Sequence, residues 1–211
     1  MINFCLNAQN ITKSYSRKKV IISNIDLKIE NSAIAGIVGP NGSGKTTFLK
    51  ILCGILKPSQ GIIELTIDEK VVKKENFFLH FGYVAPYINL YDEFTPLEHL
   101  KLFARISGMD YNKNRVTELL DLFNLSKKRN DQIRTFSSGM KQRMKYILAL
   151  QRKNEILLLD EPMTNLDSEG IAGVHQLIDE QVNAGGAVVI ATNDERDKLL
   201  CHTVVDLLNN K

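Results

Sequence analysis

One run, Gly39-Pro40-Asn41-Gly42-Ser43-Gly44-Lys45-Thr46, constrains this chain more than any other. It fits the pattern G-x-x-x-x-G-K-[ST], a phosphate-binding loop, which requires a strand before it and a helix after it. Both flanks are present. Ile34-Ala35-Gly36-Ile37-Val38 reads as a buried strand, and Thr46-Thr47-Phe48-Leu49-Lys50-Ile51-Leu52 as a helix with one apolar face. The glycines let backbone N–H groups turn inward on an anion, and the helix N-terminus adds partial positive charge behind it. Lys45 is predicted to reach the β- and γ-phosphates of a nucleotide, and the Thr46 hydroxyl to sit on Mg²⁺.

With 211 residues the chain suffices for one large domain or two small ones, and 44% hydrophobic residues supply a sizeable core. A net charge of +3 is too mild to argue for nucleic acid as a partner. Its basic clusters, Arg17-Lys18-Lys19 and Lys127-Lys128-Arg129, read as solvated loops. Cys5, Cys53 and Cys201 lie far apart with no C-x-x-C spacing, so neither a disulfide framework nor a metal site is expected. The first residues lack the layout of a signal peptide, and no apolar run approaches the ~18–20 residues that span a bilayer. Work at a membrane would therefore need a partner to supply the spanning part.

From Ile2 to Ile29 apolar and polar residues alternate, which predicts strands with one buried face, separated by a polar turn at Lys13-Ser14-Tyr15-Ser16-Arg17-Lys18. Residues 61–72 alternate again and read as a hairpin region, and 81–85 as a short strand. The period then becomes helical. Thr95-Pro96-Leu97-Glu98 is a capping box with Pro at the first helical position, opening a helix that ends near Gly108. A second helix carries Val116, Leu119, Leu120 and Phe123, and a third follows Phe136-Ser137-Ser138-Gly139. Next come Ile156-Leu157-Leu158-Leu159, an all-apolar strand of the parallel-sheet kind, a helix stopped by Gly185-Gly186, and a second buried strand over 187–191. The strands flanking the helical block have α/β character and belong to one sheet.

Asp160-Glu161 ends the first of those late strands. Carboxylates at the C-terminal end of a parallel strand stand where open α/β folds bind ligands. Asp160 is placed to hold Mg²⁺ together with Thr46, and Glu161 to polarise a water for in-line attack on the γ-phosphate.

Over its whole length the chain resembles the ATP-binding subunit of ABC (ATP-binding cassette) transporters. Residues 39–46 resemble the Walker A loop, and 156–160 the Walker B strand with Glu161 as the catalytic carboxylate after it. Phe136-Ser137-Ser138-Gly139-Met140 resembles the signature motif, usually Leu-Ser-Gly-Gly-Gln; Asn165-Leu166-Asp167 resembles the D-loop; Tyr15 stands where the family stacks an aromatic residue on adenine. The resemblance implies an α/β fold in a single domain over 1–211. Residues 1–88 and 154–211 would form a P-loop NTPase core, with a mostly parallel sheet and an N-terminal antiparallel β subdomain. Residues 89–153 would form a helical subdomain carrying the signature.

It also implies ATP and Mg²⁺ as cofactors, contacts from Pro40, Asn41, Gly42, Ser43 and Thr47 along the loop, and ATP hydrolysis coupled to transport. The partners implied are a second ABC ATPase subunit, paired head to tail so that Ser137, Ser138 and Gly139 of one cap the ATP of the other, and a membrane-spanning permease. The place implied is the cytoplasmic face of the cell membrane. In length the chain is similar to small exporter-type subunits such as the haem-exporter ATPase of cytochrome c maturation. A soluble ABC ATPase that remodels a complex and a nucleotide-dependent dimerisation switch are the alternatives.

Two positions depart from the family pattern. Pro86 stands where a Gln normally meets Mg²⁺ or the attacking water. Thr192-Asn193-Asp194 replaces Thr-His-Asp, so Asn193 takes the place of the histidine that contacts the γ-phosphate. An amide donates a hydrogen bond but carries neither proton nor positive charge, so hydrolysis is expected to be slow. Ser138 replaces the usual first Gly, tolerable unless that residue needs φ > 0 at ~1 kcal/mol or more, and Met140 replaces Gln with little direct loss expected.

Overall fold

The computed structural model describes residues 2–16, 19–85 and 89–208. They divide into two compact units. The first comprises Met1–Tyr83, Asn154–Pro162 and Asp179–Lys211, and the second Val84–Lys153 and Met163–Ile178.

In the first unit, β1 (Phe4–Ser16) pairs antiparallel with β2 (Lys19–Glu30) and with β4 (Gln60–Ile67), and β4 pairs with the short β5 (Lys70–Val71). The alternating burial of β1 follows the alternation of its sequence. The stretch from Lys13 to Ser16 is a correction to the sequence reading. It is the end of β1, not a turn, because Ser14 pairs with Val20 and Ser16 with Lys19, and these ladder bonds outweigh its polar composition. Arg17 and Lys18 lie outside the described residues.

The second sheet has the order β6 (Phe81–Val84), β7 (Ile156–Asp160), β8 (Ala187–Thr192), β3 (Ile34–Val38), β9 (Thr203–Asp206). Every residue of β3, β7 and β8 is buried, which accounts for the apolar runs that precede Asp160 at the end of β7 and Thr192 at the end of β8. The helix α1 (Lys45–Leu52) buries Phe48, Leu49, Ile51 and Leu52 completely, each worth about 1.5–3 kcal/mol. β3, β7 and β8 run parallel, with Val38 beside Thr192 and Asp160 beside Ala191. Three strand ends therefore emerge side by side, and the chain segments that leave them hold the 39–46 loop, Glu161 and Asn193.

The second unit is helical: α2 (Pro96–Ile106), α3 (Lys113–Leu122), α4 (Ser138–Ala149) and the first part of α5 (Ser168–Asn183). The capping box of α2 is formed on both sides. Thr95 accepts from the Glu98 N–H at 3.2 Å, and Glu98 accepts from the Thr95 N–H at 2.8 Å. Phe123 and Tyr146 bring α3 and α4 together with ring centroids 5.4 Å apart. Tyr91 and Phe94 pack on the ring of His99 at 5.6 and 5.4 Å, and burial pushes the His99 pKa down.

Candidate functional site

The loop after β3 has the backbone its glycines allow. Gly44 sits at φ +109°, and a Cβ there would lie 2.6 Å from the Ile22 side chain, so only glycine fits between the loop and β2. A Cβ at Gly39, φ +150°, would meet Ser43 Oγ at 2.7 Å. Pro40, Asn41 and Gly42 are exposed, whereas Ser43 and Lys45 are buried, so the loop presents its outer rim and anchors its inner side. Thr46 and Thr47 follow in the first turn of α1, partly exposed.

Lys45 is 6% exposed, and its Nζ donates to the Gly39 carbonyl at 2.8 Å and, more distantly, to that of Pro40 at 3.4 Å. The same ammonium pairs with Glu161 Oε1 at 3.1 Å. Glu161 is the residue after β7 and adopts φ +52°, a conformation costing about 1 kcal/mol or more for a residue with a Cβ. Its N–H donates to the Ala191 carbonyl at 2.8 Å, which holds the turn in place.

Asp160 is 3% exposed, and its Oδ2 accepts from the Thr46 hydroxyl at 2.7 Å. Burial, with the nearby Glu161 charge assisting, raises its pKa against the hydrogen bond from Thr46. Its Oδ1 is buried with no hydrogen-bond partner. An orphaned carboxylate oxygen beside a threonine hydroxyl is a donor set of the hard-oxygen kind, and it fits Mg²⁺.

Asn193 leaves β8 and reaches the loop from the other side, its Nδ2 donating to Asn41 Oδ1 at 3.3 Å. Behind it Thr192 Oγ1 donates to the buried Asp197 at 2.7 Å, and Asp194 is held at a pKa of about 2 by Arg196. Tyr15 lies at the exposed end of β1 with Lys13 Nζ 5.3 Å from its ring centroid. Its strand end pairs with residues 19–22 of β2, the segment whose Ile22 bounds Gly44. Pro86 lies outside the described residues.

The second unit gathers the other predicted group. Ser137 is the N-cap of α4, its hydroxyl accepting from the Met140 N–H at 3.2 Å; Ser137 and Ser138 are exposed and Gly139 is buried. A Cβ at Gly139 would meet Asp167 Oδ2 at 2.9 Å, so the signature run and the Asn165-Leu166-Asp167 turn touch through a glycine.

Sequence reasoning missed the residue that binds these two segments, Arg143. Its side chain, 6% exposed, donates to the Phe123 carbonyl at 2.8 Å, to Glu169 at 2.9 Å and to Asp167 at 3.1 Å. The available signal was its place one helical turn after Gly139, on the same face of α4. Because Asp167 and Glu169 are about half exposed, their bonds to Arg143 are weakened by solvent. Arg143→Ala is expected to cost about 2 kcal/mol, read as a fall of about 5 °C in melting temperature.

Known proteins resemble this chain over most of its length. Residues 22–164 match the family model described as ABC transporter. The chain is 34% identical over 176 residues to the ABC transporter ATP-binding protein YcbN of Bacillus subtilis (strain 168), covering 83% of this chain and 57% of that protein. It is 29% identical over 204 residues to the Nod factor export ATP-binding protein I of Cupriavidus metallidurans, covering 95% and 67%. The dimeric structure of a post-hydrolysis state of the ATP-binding cassette MJ0796, bound to ADP and Pi, superposes with a TM-score of 0.80 at 26% identity, covering 95% of this chain and 93% of that one. The chain thus spans little more than half of the first of these relatives and about two thirds of the second.

Proposed function

The chain belongs to the ABC transporter family, and from that premise we propose that it binds ATP with Mg²⁺ and hydrolyses it as the motor subunit of an exporter. The observation that carries the reading is the contact set of Lys45, Thr46, Asp160 and Glu161 around one phosphate loop. Lys45 would exchange loop carbonyls and Glu161 for the β- and γ-phosphates. Thr46 and Asp160 would hold Mg²⁺, which supplies neutralisation of charge on the phosphate oxygens. Glu161, released from Lys45, would orient the attacking water and accept its proton. Asn193 would donate its amide to a γ-phosphate oxygen. Tyr15, which projects into solvent, would stack on the adenine.

One copy leaves the exposed rim of the loop without a cover. A second copy, paired head to tail, would bring Ser137 and the N–H groups of Ser138 and Gly139 to that phosphate; the helix start gives them a shared positive end. The dimeric form of the MJ0796 cassette supports this arrangement. Among the described residues no helix is long and apolar enough to cross a membrane. On the family match, a membrane-spanning permease would carry the cargo, with this chain on the cytoplasmic face. Export as the direction rests on the Nod factor relative.

Asn193 and Pro86 favour slow turnover, and through it a long-lived closed dimer. Losing one preorganised contact to the reacting phosphate costs ~2.7–4 kcal/mol, and Pro86 offers no side-chain donor or ligand there. Asn193→His is expected to raise the steady-state ATPase rate at least about tenfold. An unchanged rate would count against the slow-turnover reading, and a purified chain that releases no phosphate from ATP would count against the motor itself.

A further inference from the structure

Asp160 receives a second hydroxyl. Its Oδ2 accepts from Thr46 Oγ1 at 2.7 Å and from the phenol of Tyr83 at 3.4 Å, one donor from α1 and one from β6. With two donors on Oδ2, rotation of the carboxylate is opposed from both sides, and Oδ1, buried and unpartnered, is the oxygen left over. Thr46 spends its one proton on Asp160, so the lone pairs of its own oxygen stay available to a cation. The Tyr83 ring is packed against the hydrophobic core, so its hydroxyl arrives on a fixed stem.

We propose that Tyr83 is a positioning residue for the divalent cation: its hydroxyl locks the Asp160 carboxylate so that Oδ1 is the metal-directed oxygen. This rests on the reading of the site as one for ATP with Mg²⁺. The role of Tyr83 in the site is indirect: the phenol meets the Asp160 carboxylate, and the carboxylate would meet the cation.

Tyr83→Phe removes one oxygen and keeps the ring. Two affinities test the role in wild type and variant: that for a fluorescent mant-ATP in excess chelator, and that for Mn²⁺, read by its paramagnetic resonance in the presence of a non-hydrolysable ATP analogue. The expected result is Mn²⁺ affinity weaker by about fivefold in the variant, with metal-free mant-ATP affinity unchanged. Unchanged Mn²⁺ affinity would overturn the proposal, and so would equal weakening of both, the mark of a packing defect. A wild type that takes up no mant-ATP would overturn the nucleotide reading and this role with it; a wild type that binds both, beside an unaltered variant, removes only the role of Tyr83.

Discussion

Glu161→Gln is expected to lower the ATPase rate by at least about a hundredfold while tightening ATP binding several-fold. The two effects have separate origins in one side chain. The loss of rate would come from the proposed base: a carboxylate in reach of the attacking water would accept its proton, and an amide of the same shape would not. The gain in affinity comes from the ion pair. Glu161 Oε1 lies 3.1 Å from Lys45 Nζ, and the phosphates of a nucleotide must compete for that same ammonium. With Glu161 22% exposed, solvent weakens the pair to about 1 kcal/mol, which is close to fivefold in affinity. An amide competes less, so the phosphates take Lys45 at lower cost. A further term acts in the same direction. The Glu161 charge contributes to the raised pKa of Asp160, and removing it favours the ionised carboxylate that a cation needs. Equilibrium binding of mant-ATP and single-turnover phosphate release measure the two effects independently. Under the head-to-tail reading the variant should also run as a dimer with MgATP on gel filtration. A variant that loses rate with no gain in affinity would remove the ion pair from the account and leave the base.

The parts of this site that were legible in the sequence are those fixed by neighbours in the chain. The loop from Gly39 to Thr46 needs its own glycines, β7 announces itself by four apolar residues before Asp160, and the start of α2 is written in Thr95, Pro96 and Glu98. What escaped depends on partners far away in sequence. Tyr83 reaches Asp160 across 77 positions, Asn193 meets Asn41 across 152, and Arg143 meets Asp167 across 24. No local pattern marks a tyrosine in a short strand as a donor to a carboxylate in the next one. The end of β1 escaped for a related reason. Lys13 to Ser16 is polar enough to be a turn, and only the ladder with β2 makes it strand. Arg143 differs, because its helical spacing from Gly139 was visible while the carboxylates it would meet were not.

Lys45→Ala is expected to weaken ATP binding by at least about a hundredfold, the larger of the two binding effects, and Lys45→Arg to weaken it nearly as much. The ammonium is 6% exposed and already shared among the Gly39 carbonyl at 2.8 Å, the more distant Pro40 carbonyl and Glu161. Those acceptors hold it at the mouth of the loop, so little side-chain entropy remains to be lost when phosphates replace them. Charge-assisted hydrogen bonds contribute ~1.5–3 kcal/mol each, and contact with both the β- and γ-phosphates gives about 3–6 kcal/mol. Alanine forfeits all of it. Arginine keeps the charge but brings a planar fork wider than a compact ammonium, into a space bounded by the loop backbone and Glu161. Comparable losses in both variants would therefore show that the contact depends on shape as well as charge. Full binding by Lys45→Arg would show that charge alone suffices. The protein without nucleotide supplies a second readout. Alanine leaves the Gly39 carbonyl and the Glu161 carboxylate short of a donor, so its melting temperature should fall by a few degrees even where no ATP is present. A variant that lost ATP but kept its melting temperature would mean that Lys45 does not hold the loop in shape, and that its ammonium serves the nucleotide alone.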